Sequence, residues 1–146
     1  MYVLHPITVH FPIALLLVST LFTFFALRQV RGAWVTSAYH CLLVGWFAGV
    51  VAVLTGLFDA ARHLTGPDAL YTNELIGQVN AHAFTSIAAL LVYGLALLRH
   101  RRQPDLLEDA EARRGYLRLH VLGAALLMVG GWLGGYLVYV AGLGVR

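Results

Sequence analysis

Four long apolar stretches dominate the chain, and short polar segments separate them. The four predicted helices cover approximately residues 6–27, 34–64, 76–99 and 116–141. Each stretch contains a window of about 20 mostly apolar residues, the length that a helix needs to cross roughly 30 Å of hydrocarbon. The pattern therefore predicts an all-α fold, a transmembrane up-down bundle of four helices that forms a single integral membrane domain over residues 1–146.

The composition supports a membrane protein. Of the 146 residues, 60% are hydrophobic and only 12% are charged, which is too apolar for a soluble domain of this length. A single cysteine, Cys41, excludes an internal disulfide. The net charge of +3 comes from arginines clustered between the apolar stretches, which argues against a nucleic-acid partner and for membrane lipid.

The arginines also predict how the chain is oriented. Eight of the ten lie in or beside the first and third connections: Arg28, Arg31, Arg99, Arg101, Arg102, Arg113, Arg114 and Arg118. The other two are Arg62 and Arg146. Because cytoplasmic connections are rich in basic residues, we expect a multi-pass protein of a bacterial inner membrane with both termini on the extracytoplasmic side. Residues 103–115 are predicted to form a solvated cytoplasmic loop.

Four of the seven histidines lie near the start of successive membrane helices: His10, His40, His82 and His120. Ionisable side chains at membrane depth are costly and point to function. Because successive helices reverse direction, His10 and His82 are expected near the outer surface and His40 and His120 near the inner one. In a four-helix bundle each of these pairs spans a diagonal, so the sequence predicts two imidazole pairs at depths about 18 Å apart.

Such pairs suit planar cofactors bound from both faces, and the sequence therefore predicts two b-type haems with bis-histidine ligation. Further residues are expected to support them. Arg28 and Arg62 offer charge to propionates, Phe58 shares a face with His40, three glycines leave space for a macrocycle, and His5 lies at the outer rim. The glycines are Gly131, Gly134 and Gly135. Pro12 is expected to bend the first helix and aim His10 into the bundle.

The opening "LHPITVHFPIALLL" resembles a bacterial family of four-helix integral membrane proteins classed as a domain of unknown function. Its amino-terminal signature is a His-Pro followed by His-Phe-Pro, here His5, Pro6, His10, Phe11 and Pro12. The histidine layout also resembles that of the ascorbate-reducible transmembrane di-haem cytochromes b. That second resemblance implies His10 with His82 and His40 with His120 as haem ligands, but no ascorbate motif accompanies them.

The predicted function is transmembrane electron transfer by a carrier or redox-complex subunit, rather than by a stand-alone enzyme. Quinone or a redox protein is the expected partner, and a homo-oligomer or a larger membrane complex the expected assembly. One alternative is a Zn or Cu site made from outer-face histidines, His5, His10, His63 and His82, with Asp59 or Glu74. Two others are a transporter or proton path, and a structural or assembly subunit without a cofactor.

Overall fold

The structure, a computed structural model, describes residues 4–28, 32–64 and 72–143, without the side chains of His63 and Leu64. Its helices are α1 (His5–Thr8), α2 (His10–Ala26), α3 (Ala33–Leu64), α4 (Asn73–Arg102) and α5 (Ala110–Tyr139). The joined pair α1–α2 and each of the other three helices are long and apolar enough to cross a membrane. The predicted all-α fold with four membrane helices is therefore confirmed. Arg31, Arg146 and the side chain of His63 lie outside the described part of the chain.

Two helices begin earlier than predicted because polar residues cap them. The carboxylate of Asp109 accepts the backbone N–H groups of Glu111 and Ala112 at 2.8 and 2.7 Å, so α5 begins at Ala110. Thr72 caps α4 through the N–H of Leu75 at 3.2 Å. The predicted solvated loop over 103–115 is therefore too long: only residues 103–109 are outside a helix, and Leu107 among them is 3% exposed.

The first membrane helix is interrupted at Val9, between α1 and α2. Pro12 has no N–H to donate to the carbonyl of Thr8, so the helical hydrogen bonding is broken next to the interruption. The backbone of Val9 keeps helical dihedral angles, and its N–H donates to the carbonyl of His5 at 3.2 Å. The two pieces therefore continue roughly in line, with a local irregularity where the sequence predicts a bend.

Each membrane helix packs against two neighbours. The α2 helix packs against α3 and α5, and α4 packs against the same two helices, so α2 faces α4 across the bundle. We call the end where α1 begins and α5 ends the terminal end, and the opposite end the loop end. Between them the centre is apolar, with Leu16, Leu42 and Ala89 almost fully buried. This apolar layer separates the polar side chains of the two ends.

The outer surface of the bundle carries large apolar side chains. Phe47, Leu54, Leu91 and Trp132 are each more than half exposed, and Trp132 is 70% exposed. In water such a surface would drive aggregation, whereas lipid acyl chains solvate it without cost. The bundle is therefore built for contact with membrane lipid.

Candidate functional site

Two histidines meet at the terminal end, from helices that lie diagonally across the bundle. The ring centres of His5 on α1 and His82 on α4 are 5.8 Å apart, and the ring planes are inclined at 72°. Both side chains are half-buried. The structure thus forms one diagonal imidazole pair of the predicted kind, but with His5 in the place expected for His10.

A backbone carbonyl fixes the orientation of each ring. The Nδ1 atom of His5 lies 2.8 Å from the carbonyl oxygen of Ala52 on α3. The Nδ1 atom of His82 lies 2.9 Å from the carbonyl oxygen of Gly130 on α5. Because a carbonyl oxygen only accepts hydrogen bonds, Nδ1 must carry the proton in both rings. In the neutral form with this tautomer, Nε2 of each ring is the nitrogen whose lone pair can bind a ligand.

A glycine one helical turn further along makes room for each ring. A Cβ atom on Gly56 would lie 2.9 Å from two atoms of the His5 ring, and a Cβ atom on Gly134 would lie 2.9 Å from Cε1 of His82. Both glycines follow the carbonyl residue by four positions, so the two halves of the chain use the same device. We call each such place, Ala52 with Gly56 and Gly130 with Gly134, a glycine notch.

The short helix α1 is tied to α3 by further polar contacts. The hydroxyl groups of Thr8 and Thr55 lie 2.9 Å apart. The backbone N–H of His5 donates to Oδ2 of Asp59 at 2.8 Å. Together with the bond to Ala52, these contacts hold His5 in place although α1 is only a single turn long.

The structure does not bring His10 and His82 together. His10 is exposed on the surface of the bundle, whereas His82 lies against His5. The two candidate histidines are five residues apart, which is about 1.4 helical turns, so they point to different sides of the helix. With His5 directed towards α3 and α4, His10 is turned away from the bundle.

At the loop end, His120 lies at the centre of a buried polar cluster. It is fully buried, and its Nδ1 lies 3.1 Å from Oγ1 of Thr20, which is also 2.9 Å from the hydroxyl of Tyr93. The rings of Tyr116 and Tyr93 lie 4.5 and 5.7 Å from the His120 ring. Nε2 of His120 is buried with no hydrogen-bond partner in the structure. Closely packed rings thus surround this imidazole and leave no gap for a macrocycle.

The structure does not bring His40 and His120 together either. His40 is exposed on α3, next to the ring of Tyr39. The histidine that joins the loop-end cluster is His100, which the sequence analysis did not place in either pair. Its ring stacks on Tyr39 at 4.8 Å, and its Nδ1 is buried with no partner in the structure. The sequence did contain a signal for His100: it follows His82 by eighteen residues on α4, which is five helical turns.

Replacing Thr20 with valine should destabilise the fold. The substitution removes the hydroxyl that contacts both Tyr93 and His120, leaving two buried polar groups without that partner. Such a loss costs about 1–3 kcal/mol. The midpoint of thermal unfolding in detergent should fall, whereas the same change at the exposed Thr36 should leave it unchanged. Equal midpoints for the two variants would show that the contacts of Thr20 add nothing to stability.

The other predicted site residues are two arginines, one phenylalanine and three glycines. Near the terminal end, the guanidinium of Arg62 lies 5.3 Å from the centre of the Phe58 ring, and both side chains are exposed. Gly131 and Gly135 have open space where a Cβ would stand, unlike Gly134. Arg28 is exposed at the loop end. Of the three predicted glycines, the structure brings only Gly134 into contact with a histidine.

The alternative of a multi-histidine metal centre finds little support in the described residues. No group of three or more His, Cys, Asp or Glu side chains able to hold a metal ion occurs among them. His10 is exposed, and Glu74 is exposed in the first turn of α4. Among the described residues of this alternative, only His5 and His82 have their rings in contact.

Comparison with known proteins places the chain in a family but not near a characterised relative. A family model described as predicted membrane protein (DUF2231) matches residues 2–146. No curated protein and no solved structure matches the chain. The resemblance of the histidine layout to di-haem cytochromes b therefore stays a prediction.

Proposed function

The chain belongs to the DUF2231 family of predicted membrane proteins, and from its histidine pair we propose that it is a membrane-bound b-type haem protein that carries electrons. His5 and His82 are the two axial ligands in this proposal. The observation that carries it is the 5.8 Å separation of the two ring centres. Two imidazoles bound in line to one metal atom, with metal–nitrogen bonds of about 2 Å, have their ring centres about 6 Å apart.

The protonation of the two rings fits this role. Histidines that bind metals usually donate the other ring N–H to a carbonyl or carboxylate, which fixes the tautomer and the ring orientation. His5 and His82 both do so, through the carbonyl groups of Ala52 and Gly130. The free nitrogen of each ring is then Nε2, the atom that would bind the iron.

The number of ligands favours haem over a bare metal ion. Zinc in proteins takes four ligands, or three with an open position, and the described residues offer two imidazoles without a third ligand group. Haem supplies four nitrogens of its own, so two axial histidines complete the coordination of its iron. A copper(I) ion held by two imidazoles is the second candidate, because it also needs few ligands.

Bound haem would supply a one-electron Fe(III)/Fe(II) couple. The chain's own residues do the remaining work. The glycine notches and their carbonyl groups hold the rings, and the apolar layer around Leu16 and Leu42 keeps water from the centre of the bundle. Because His5 and His82 are only half-buried, a quinol or a reduced redox protein could donate the electron at the terminal end.

The proposal covers the terminal end only. At the loop end the rings of Tyr93 and Tyr116 pack against His120, and His40 is exposed. These side chains do not fit a second haem in the described conformation. We therefore propose a carrier that exchanges electrons at the terminal end, within a homo-oligomer or a larger redox complex of a bacterial inner membrane.

Elemental analysis of the purified protein separates the two candidates. We expect iron at about one atom per chain, extractable as protohaem, and no stoichiometric copper or zinc. The His82→Ala variant, purified identically, serves as the control that reports metal held elsewhere. If the wild type contained copper but no iron, and the His82→Ala variant lacked that copper, the bound group would be a copper ion held by two imidazoles and not haem.

A further inference from the structure

Asp59 is a buried carboxylate beside one of the paired histidines. It is 7% exposed and is the only buried acidic residue in the part of the chain that the structure describes. Its Oδ2 accepts the backbone N–H of His5 at 2.8 Å. A carboxylate at this depth is costly unless its contacts compensate for the lost water, so the position calls for an explanation.

Asp59 supplies the hydrogen-bond acceptor that a preceding helical turn would otherwise give to the backbone N–H of His5. His82 lies inside α4, where the preceding turn of the helix provides an acceptor for its backbone N–H. His5 is the first residue of α1 and has no preceding turn, and Pro6 has no N–H of its own. The carboxylate of Asp59 therefore caps α1 from a neighbouring helix, and it does so at the residue whose ring belongs to the pair.

Comparison of the two glycine notches shows that this carboxylate belongs to one side only. Asp59 follows Gly56 by three positions, and the residue three positions after Gly134 is Leu137. Leu137 is equally buried, at 7% exposed. The two halves match at the carbonyl and the glycine but differ here, so a negative group stands beside His5 and an apolar one takes the equivalent place near His82.

We propose that Asp59 positions His5 as an axial ligand and lowers the reduction potential of the haem; this rests on the proposed function. Reduction of a bound haem would add one electron and make the site more negative. A buried carboxylate in contact with one of the residues that would hold the haem would oppose that change, because charges in a poorly solvated place are weakly screened. Asp59 is thus a positioning residue that also tunes the couple.

Two substitutions separate the roles. Asp59→Asn keeps an oxygen that can accept the N–H of His5 but removes the charge, so haem content should stay near that of the wild type while the midpoint potential rises. Asp59→Leu introduces the residue that stands at the equivalent position near the other glycine notch, Leu137, and it removes both the charge and the hydrogen-bond acceptor. It should weaken haem binding by about 10-fold or more, as loss of groups that orient metal ligands does. It should also lower the melting temperature of the haem-free protein.

The control is Glu74→Gln, which removes one negative charge from the exposed first turn of α4. Potentiometric titration with redox mediators, haem content and melting of the haem-free protein are measured for all four proteins. A potential of Asp59→Asn equal to that of Glu74→Gln overturns the tuning role. Undiminished haem affinity and stability of Asp59→Leu overturn the positioning role. A wild-type protein that takes up no haem overturns the proposed function first, and this inference with it.

Discussion

Replacing either His5 or His82 with alanine should abolish stable haem binding, whereas replacing His10 should leave it intact. Each of the first two changes would remove one of the two imidazoles that would hold the haem. His10 is exposed on the far side of the first membrane helix and contributes no bond in this account. The ratio of haem to protein after purification, with the low-spin signal in electron paramagnetic resonance, measures the difference.

The three variants also decide between the sequence-based pairing and the structural one. Loss of haem in His10→Ala with retention in His5→Ala would restore the predicted pair of His10 with His82. Retention in all three would remove the terminal end as the haem site. Size-exclusion profiles identical to that of the wild type serve as the control for folding.

Filling a glycine notch should expel the haem without touching either ligand. In Gly134→Leu the new side chain would occupy the place of the His82 ring, since even a Cβ there would lie 2.9 Å from Cε1. The ring must then leave the carbonyl of Gly130, and with it the position opposite His5. We expect the haem-to-protein ratio to fall by about 10-fold or more, the scale seen when support for a metal ligand is lost.

The adjacent glycine offers a matched control. A Cβ on Gly135 would meet nothing within 4 Å, so Gly135→Leu should change helix propensity and surface in the same way but keep the haem. Equal haem loss in the two variants would show that the effect comes from α5 as a whole. Full haem content in Gly134→Leu would show that the notch does not hold the ligand.

The fold was predictable because hydrophobic length carries most of the information in a membrane bundle. The starts of α4 and α5 were placed too late, although Thr72 and Asp109 are ordinary capping residues whose signal was present in the sequence. A run of polar and charged residues outweighed that signal and led to the prediction of a longer loop. Burial of Leu106 and Leu107 depends on tertiary packing, which no local pattern reveals.

The sequence predicted a pair of His10 with His82, whereas the structure places His5 beside His82. Depth along a helix can be counted, so histidines of the first and third membrane helices were expected at one level near the terminal end. Which of His5 and His10 faces the bundle depends on helix rotation, and that is set by contacts with α3, through Ala52, Thr55 and Asp59. Spacing along the sequence does not determine that rotation, because a helix that is apolar on all sides can turn either histidine towards the bundle.

The loop-end cluster shows the same limit. His40 and His100 both lie near that end, but only His100 contacts the rings that surround His120. The relation of His100 to His82 along one helix was readable, whereas the stacking on Tyr39 requires the packing of α3 against α4. Among the described residues, the two buried side-chain nitrogens without a hydrogen-bond partner both lie in this cluster, on His100 and His120.

The most direct test of haem binding is the dithionite-reduced minus oxidised absorbance spectrum of the detergent-purified protein, with haem quantified as the pyridine haemochrome. We expect a sharp b-type α band and about one haem per chain. Protein expressed with ample haem that shows no such band and contains no haem would contradict this expectation.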